Sequence, residues 1–154
     1  MTRYFFLFLI VITIAYGCNK NDFCQDITTT APSIEVNNLR NYLTTNSITA
    51  TEDSRGFFYV INNAGIDDKP TVCSTIKVSY EGKLVDGTVF DSGNNVSFLL
   101  SDLISGWQEG IPLIKKGGSI TLYLPPTLGY GASGSGSIPG SSNLIFNIDL
   151  LEVN

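Results

Sequence analysis

Residues 78–93 read VSYEGKLVDGTVFDSG, and the fold turns on how this stretch divides. Up to Leu84 the pattern alternates, with Ile76, Val78 and Tyr80 on one side and Lys77, Ser79 and Glu81 on the other. A period of two marks a strand with one buried and one wet face, so Thr75 to Leu84 is predicted as a strand whose Tyr80 points inward. Asp86-Gly87 is a strong hairpin signal, because the favoured two-residue turns need positive φ and glycine supplies it. The chain then returns through Thr88, Val89 and Phe90. The end of the stretch is awkward: Phe90 and Asp91 set a large ring beside a charge, and a buried face does not accept an unpaired carboxylate.

Outward from this hairpin the β pattern continues. Phe57 to Ile61 is predicted as a first strand, with a turn-rich connection from Asn62 to Pro70 after it. Val96 to Leu100, Ser119 to Leu124 and Asn143 to Val153 are three more strands, the last two separated by a Gly/Ser/Pro loop from Pro125 to Ser142. The helical signal between them spans Gln108 to Lys116, with Glu109 near its start and Lys115-Lys116-Gly117-Gly118 at its end. Gly110 and Pro112 fit it only if both lie in the first turn. The expected class is α+β: a curved antiparallel sheet of about five strands wrapped round one short helix.

The N-terminal third differs. Tyr4 to Ala15 (YFFLFLIVITIA) comes after a short positive start and has the length of a signal-peptide apolar core, too short for a comfortable membrane span. It stops at Ala15-Tyr16-Gly17-Cys18, which resembles a bacterial lipobox, with Cys18 as the lipidated first residue of the mature chain. Residues 1–17 are then a lipoprotein signal peptide. Residues 18–55 are a tether that holds the domain off the bilayer, with a short amphipathic helix from Ile34 to Thr45 capped by Ser33, and 56–154 are the folded domain. This organisation implies a lipid-anchored protein of the cell envelope, on an outer membrane facing the periplasm or the cell surface. Cys24 and Cys73 would meet an oxidising compartment and either pair or stay apart.

Composition excludes several chemistries. Net charge is −5 and there is no histidine among 154 residues. The acidic balance argues against a nucleic-acid partner. Without imidazole there is no Ser-His-Asp or Cys-His nucleophile system, and two cysteines make no convincing metal site. Gly129-Tyr130-Gly131-Ala132-Ser133-Gly134 matches a dinucleotide-binding pattern only in letters: Pro125-Pro126 interrupts the approach, and no helix would start at the subsequent Ser-Gly-Ser-Ile-Pro. Asn95-Val96-Ser97 is read as a loop asparagine rather than a glycosylation site.

The aromatic residues, taken singly, read as core. In order they form blocks: Val78-x-Tyr80-x-Gly82-x-Leu84-x-x-Gly87-x-x-Phe90-Asp91-Ser92, then Phe98-x-Leu100-x-x-Leu103-Ile104-x-Gly106-Trp107-x-Glu109-Gly110, then Leu128-x-Tyr130-Gly131, Ile138-Pro139 and Asn143-x-x-Phe146. This succession resembles the FKBP-type peptidyl-prolyl cis-trans isomerases across about residues 56–154. The resemblance implies a deep apolar pocket for a proline ring, with Trp107 as floor and Tyr80, Phe90, Phe98, Leu103, Ile104 and Phe146 as walls. Tyr130 would stand at the rim, Ile138 would come from the loop that overhangs the pocket, and Val96 would also belong to the substrate-binding surface. Asp91 would be a polar wall group bonded to a tyrosine hydroxyl, or else a turn-capping aspartate before Ser92-Gly93.

Implied partners are proline-containing polypeptides and macrolide inhibitors, with no cofactor and no metal. Val96 in place of a further aromatic, Gly140 in place of a second proline, and the Ser-Gly-rich loop before Ile138 loosen the rim. The same pocket also suits a binding module without turnover, or a lipoprotein that keeps only the fold.

Overall fold

The computed structural model describes residues 27–154. The apolar leader, Cys18 and Cys24 lie outside the described residues, and with them the lipidation and the proposed Cys24–Cys73 pair; Cys73 itself is exposed. The chain opens with α1 (Ser33–Thr45) and the two-residue strand β1 (Thr51–Glu52), then β2 (Phe58–Asn63), β3 (Thr75–Leu84) and β4 (Val89–Leu99). A short 3₁₀ turn at Leu100–Asp102 leads to α2 (Ser105–Gly110) and a second 3₁₀ turn, Ile111–Leu113. β5 (Ser119–Leu124), a third 3₁₀ turn at Pro126–Leu128 and β6 (Leu144–Val153) complete it.

All strand pairs are antiparallel, and they form one open six-stranded sheet in the order β1-β2-β5-β6-β3-β4. Alternation produces its inner face. Ile76 and Val78 on β3, Ile120, Leu122 and Leu124 on β5, and Leu144, Phe146, Ile148 and Leu150 on β6 are buried. The hairpin forms at Asp86-Gly87, but through a three-residue loop in place of a two-residue one. The Gly87 N–H donates to the Leu84 carbonyl at 3.0 Å, the Leu84 N–H to the Thr88 carbonyl at 2.9 Å, and the Thr88 N–H to Asp86 Oδ1 at 2.8 Å; within the loop only Gly87 has positive φ (+89°).

Three expectations change. The returning segment and the short strand at residues 96–100 are one continuous strand, β4, interrupted by two irregularities. One lies between the pairs Val78–Val96 and Tyr80–Gly93, and the other between Gly82–Asp91 and Lys83–Val89. In the second, Phe90 is the extra residue of a β-bulge, a device that re-aims side chains. The internal helix begins before Trp107 and ends at Gly110, rather than running from Gln108 to Lys116. Its glycines are contact points: a Cβ on Gly106 would lie 2.5 Å from Leu124, and one on Gly110 would lie 2.7 Å from Leu122. Those two gaps let α2 lie close against β5.

The third change concerns α1. Pro32 precedes the helix without a side-chain cap and Ser33 is its first residue, so Ser33 does not cap it. Val36, Leu39 and Leu43 are buried in the same core as Phe57, Trp107 and Leu144. β1, which sequence placed in polar tether, pairs with β2 through Thr51–Tyr59 and Glu52–Phe58. Arg40 donates to the Glu52 carboxylate at 2.7 and 2.8 Å, joining α1 to β1. The packed unit thus starts before residue 56.

Leu39 is fully buried. Leu39→Ala is expected to lower unfolding free energy by about 2–4 kcal/mol while leaving one cooperative denaturant transition. A helix hanging free of the domain would show no loss, and equilibrium urea unfolding checks this.

Candidate functional site

β3 and β6 run side by side, and the pairs Tyr80–Ile148 and Gly82–Phe146 bring Tyr80 and Phe146 close together along the ladder. Between β4 and β5, α2 lays Trp107 beneath them. Trp107 is 4% exposed, and three rings stand nearly perpendicular to its plane: Tyr80 at 85° and 5.2 Å, Phe146 at 87° and 5.3 Å, Phe98 at 89° and 6.2 Å. Edge-to-face packing of this kind is the favoured aromatic geometry. Here it makes a floor with three upright walls. The cavity above holds about 290 Å³ and is lined by Tyr80, Asp91, Phe98, Asp102, Leu103, Ile104, Trp107, Tyr130 and Phe146.

The bulge explains the Phe90-Asp91 pair. On a regular strand these neighbours would face opposite sides. Instead the Phe90 ring packs edge-to-face on Phe146 at 5.5 Å, and Asp91 Oδ2 accepts the Tyr80 hydroxyl at 2.8 Å, so both address the same aromatic cluster. Asp91 caps no turn, since Ser92 and Gly93 continue β4 opposite Glu81 and Tyr80; its other oxygen, Oδ1, accepts the N–H of the next residue, Ser92, at 2.9 Å. Gly82 makes the room: a Cβ there would meet the Phe90 and Phe146 rings at 2.7 Å.

Burial, then the Asp91 hydrogen bond and charge, push the Tyr80 phenol up to about 12. Burial and Asp91 also raise Tyr130. Both hydroxyls stay protonated at neutral pH. Ile104 sits at the entry to α2, where its carbonyl accepts the Trp107 N–H at 2.9 Å. Its own N–H has no partner among the described residues and remains available beside the cavity.

Not every predicted site residue reaches the cavity. Phe90 backs the wall from behind Phe146. Val96 packs against Gly93, whose Cβ would lie 2.8 Å from its side chain, and Ile138 is buried in the core under the loop that it closes through a bridge with Ser135. Two contributors escape sequence reasoning. Asp102 lines the cavity, and its only sequence signal is its place between two predicted wall residues, Phe98 and Leu103. Gln108 donates through Nε2 to the carbonyls of Ser101 and Leu103 at 3.0 and 2.6 Å, pinning the segment that carries Leu103 and Ile104.

A six-stranded antiparallel sheet with a short helix holding an aromatic cup is the architecture of the FKBP folds. The FKBP-type peptidyl-prolyl cis-trans isomerase model matches residues 67–151. The crystal structure of FkpA from Escherichia coli superposes with TM-score 0.72 and 36% identity, over 79% of this chain and 60% of that one. AtFKBP13 superposes with TM-score 0.63 and 31% identity, over 69% and 99%. Among curated proteins, a probable FKBP-type peptidyl-prolyl cis-trans isomerase of Haemophilus influenzae is 48% identical over 104 residues, 64% of this chain and 43% of that protein. FkpA of Escherichia coli strain K12 is 43% identical over 104 residues, 65% and 38%. This chain belongs to the FKBP-type peptidyl-prolyl cis-trans isomerase family, and it spans less than half the length of these two curated relatives.

Behind the floor lies Glu109, 4% exposed, with Arg55 Nε 3.8 Å from its Oε2. Burial raises its carboxyl to about 7; the Arg55 charge opposes this and the Asp53 charge adds to it. Between the ordinary value of 4.5 and about 7 the folded state keeps a proton that the unfolded state has lost. Stability therefore falls as pH rises through this window and levels off above it. Glu109→Gln is expected to remove that slope, so the melting temperature of the parent should drop relative to the variant between pH 4.5 and about 7 and run parallel to it above. Parallel melting curves across the range would show that Glu109 does not titrate there.

Proposed function

We propose that this chain is a peptidyl-prolyl cis-trans isomerase that takes the proline ring of an extended polypeptide into the Trp107 cup. The observation that carries this is the set of three aromatic walls at right angles to a buried indole, with a phenol and a free backbone N–H at the edge. Rotation about an X-Pro bond is slow because the amide's partial double bond must be broken, against a barrier of about 18–20 kcal/mol. Twisting takes the carbonyl out of conjugation and reduces charge separation. A site that replaces water with apolar walls therefore favours the twisted amide over the planar one.

Lowering the barrier by about 3–5 kcal/mol corresponds to a few hundred- to several thousand-fold acceleration. In this scheme Trp107 bears the ring, and Tyr80, Phe98, Leu103 and Phe146 exclude water, with Phe90 holding Phe146 upright. The Ile104 N–H and the Tyr130 hydroxyl hold flanking carbonyls. Asp91 orients Tyr80 through their hydrogen bond. The loosened rim bears on substrate preference and on macrolide affinity.

No step transfers a proton. Turnover of a short X-Pro peptide is accordingly expected to be flat across about pH 6–9, with Tyr130→Phe and Asp91→Leu each about tenfold slower and still active, the loss of one orienting hydrogen bond. The pH–rate profile of parent and variants on one peptide tests this, and repeating it in Glu109→Gln removes a group behind the floor that titrates near neutrality. A limb abolished by Asp91→Leu in folded protein would instead mean acid-base catalysis. Peptide binding without acceleration would mean a proline-binding module.

We also propose that Cys18 is lipidated and holds the domain on a membrane of the cell envelope, on the strength of the leader and the lipobox-like Ala15-Tyr16-Gly17-Cys18. Cys18→Ser should accumulate with its leader uncleaved and take up no labelled fatty acid. Unchanged processing and labelling would reject the anchor.

A further inference from the structure

We propose that Glu35, on α1, is a positioning residue for the pocket rim, so that the N-terminal helix belongs to the active unit. This rests on the isomerase reading of the cup. Glu35 stands 92 positions from its partner: its Oε2 accepts the Thr127 N–H at 2.9 Å, and its Oε1 accepts the Thr127 hydroxyl at 2.9 Å.

The local chemistry makes Thr127 depend on this carboxylate. Thr127 lies in the 3₁₀ turn Pro126–Leu128. Pro125 and Pro126 have no N–H, so Thr127 carries the first donor of the turn, and the opening donors of a helical turn have no acceptor within it. The Leu128 and Gly129 N–H groups are taken by the carbonyls of Pro125 and Pro126, at 3.1 and 2.9 Å. Glu35 fills the remaining place with a charge-assisted bond, the stronger kind.

From Thr127 the constraint passes to the rim in three residues. The Gly131 N–H donates to the Pro126 carbonyl at 2.8 Å, closing a tight loop in which Tyr130 is carried. Tyr130 lines the cavity. The other end of the clamp is equally fixed, because α1 is docked by Val36, Leu39 and Leu43 in the common core. Glu35 also lies outside residues 67–151, the part that the family model matches. The clamp is thus contributed by the N-terminal segment to a site that the family domain supplies.

Glu35→Ala, measured in the full chain, should lower kcat/KM on an X-Pro peptide by about three- to tenfold, the scale of two lost hydrogen bonds of modest net worth. Glu35→Gln should stay within about twofold, since its amide can still accept the Thr127 N–H and can donate to the hydroxyl. The decisive comparison is a double-mutant cycle. In the Tyr130→Phe background the same Glu35→Ala change should cost little more, because the group that it positions is already gone. An equal loss in both backgrounds, or an undiminished Glu35→Ala, overturns the proposal.

Thr127→Val, which removes only the hydroxyl bond, provides the same cycle should Glu35→Ala fail to fold. If the parent turns over no peptide, the isomerase reading fails separately. The cycle is then read in binding of a proline-containing tetrapeptide, monitored by the fluorescence of Trp107, the single tryptophan of the chain. The same non-additive pattern is expected, and additive effects would overturn the clamp.

Discussion

The closeness of α2 to β5 is the constraint on which the site depends. Trp107 can serve as a floor only if the helix beneath it lies nearer the sheet than side chains at the contact would normally allow. Gly106 and Gly110 remove those side chains where Leu124 and Leu122 press in. With the indole at that depth, Tyr80, Phe98 and Phe146 meet it edge-on, and the cup takes its shape from aromatic packing. Little polar bonding is involved: the Trp107 Nε1 is buried without a hydrogen-bond partner among the described residues.

The polar groups then act as braces around an apolar centre. Asp91 holds the Tyr80 hydroxyl, Gln108 ties down the carbonyls of Ser101 and Leu103, and Glu35 reaches across from α1 to Thr127. Each fixes a side chain or a backbone group that apolar contact alone does not orient. Apolar burial is non-directional and proportional to area, so it brings these groups together without specifying their angle. Directional bonds specify it. A site that works by orientation and exclusion of water needs both, and the braces here run through residues from well before the hairpin to the loop after β5.

The legibility of the molecule tracks the range of its interactions. β3, β5 and β6 are readable within a residue or two, since alternating burial is written directly in Ile76, Val78 and Tyr80 or in Leu144, Phe146 and Ile148. The turn at Asp86-Gly87 is readable because it is local chemistry. α2 is misplaced by sequence because the segment before Trp107 carries no helical pattern, and the purpose of Gly106 and Gly110 appears only when Leu124 and Leu122 are opposite. β1 is invisible because Thr51 and Glu52 carry no pattern of their own; pairing with Tyr59 and Phe58 makes them a strand. Asp102 and Gln108 have no local signal beyond their neighbours.

Residue order alone is enough for the strands of the inner face, the absence of imidazole chemistry, and the ordered aromatic blocks that mark the family. Those properties reside in residue type and spacing along one stretch of chain. It takes the folded chain to place Phe90 in a bulge where it shares a face with Asp91, to let Asp91 serve both Tyr80 and Ser92, and to make α1 part of the core. A bulge is a mismatch between two strands, and a clamp spanning 92 positions is a meeting of two surfaces. Neither exists until distant segments are brought within a few ångströms of each other, and no local period encodes that approach.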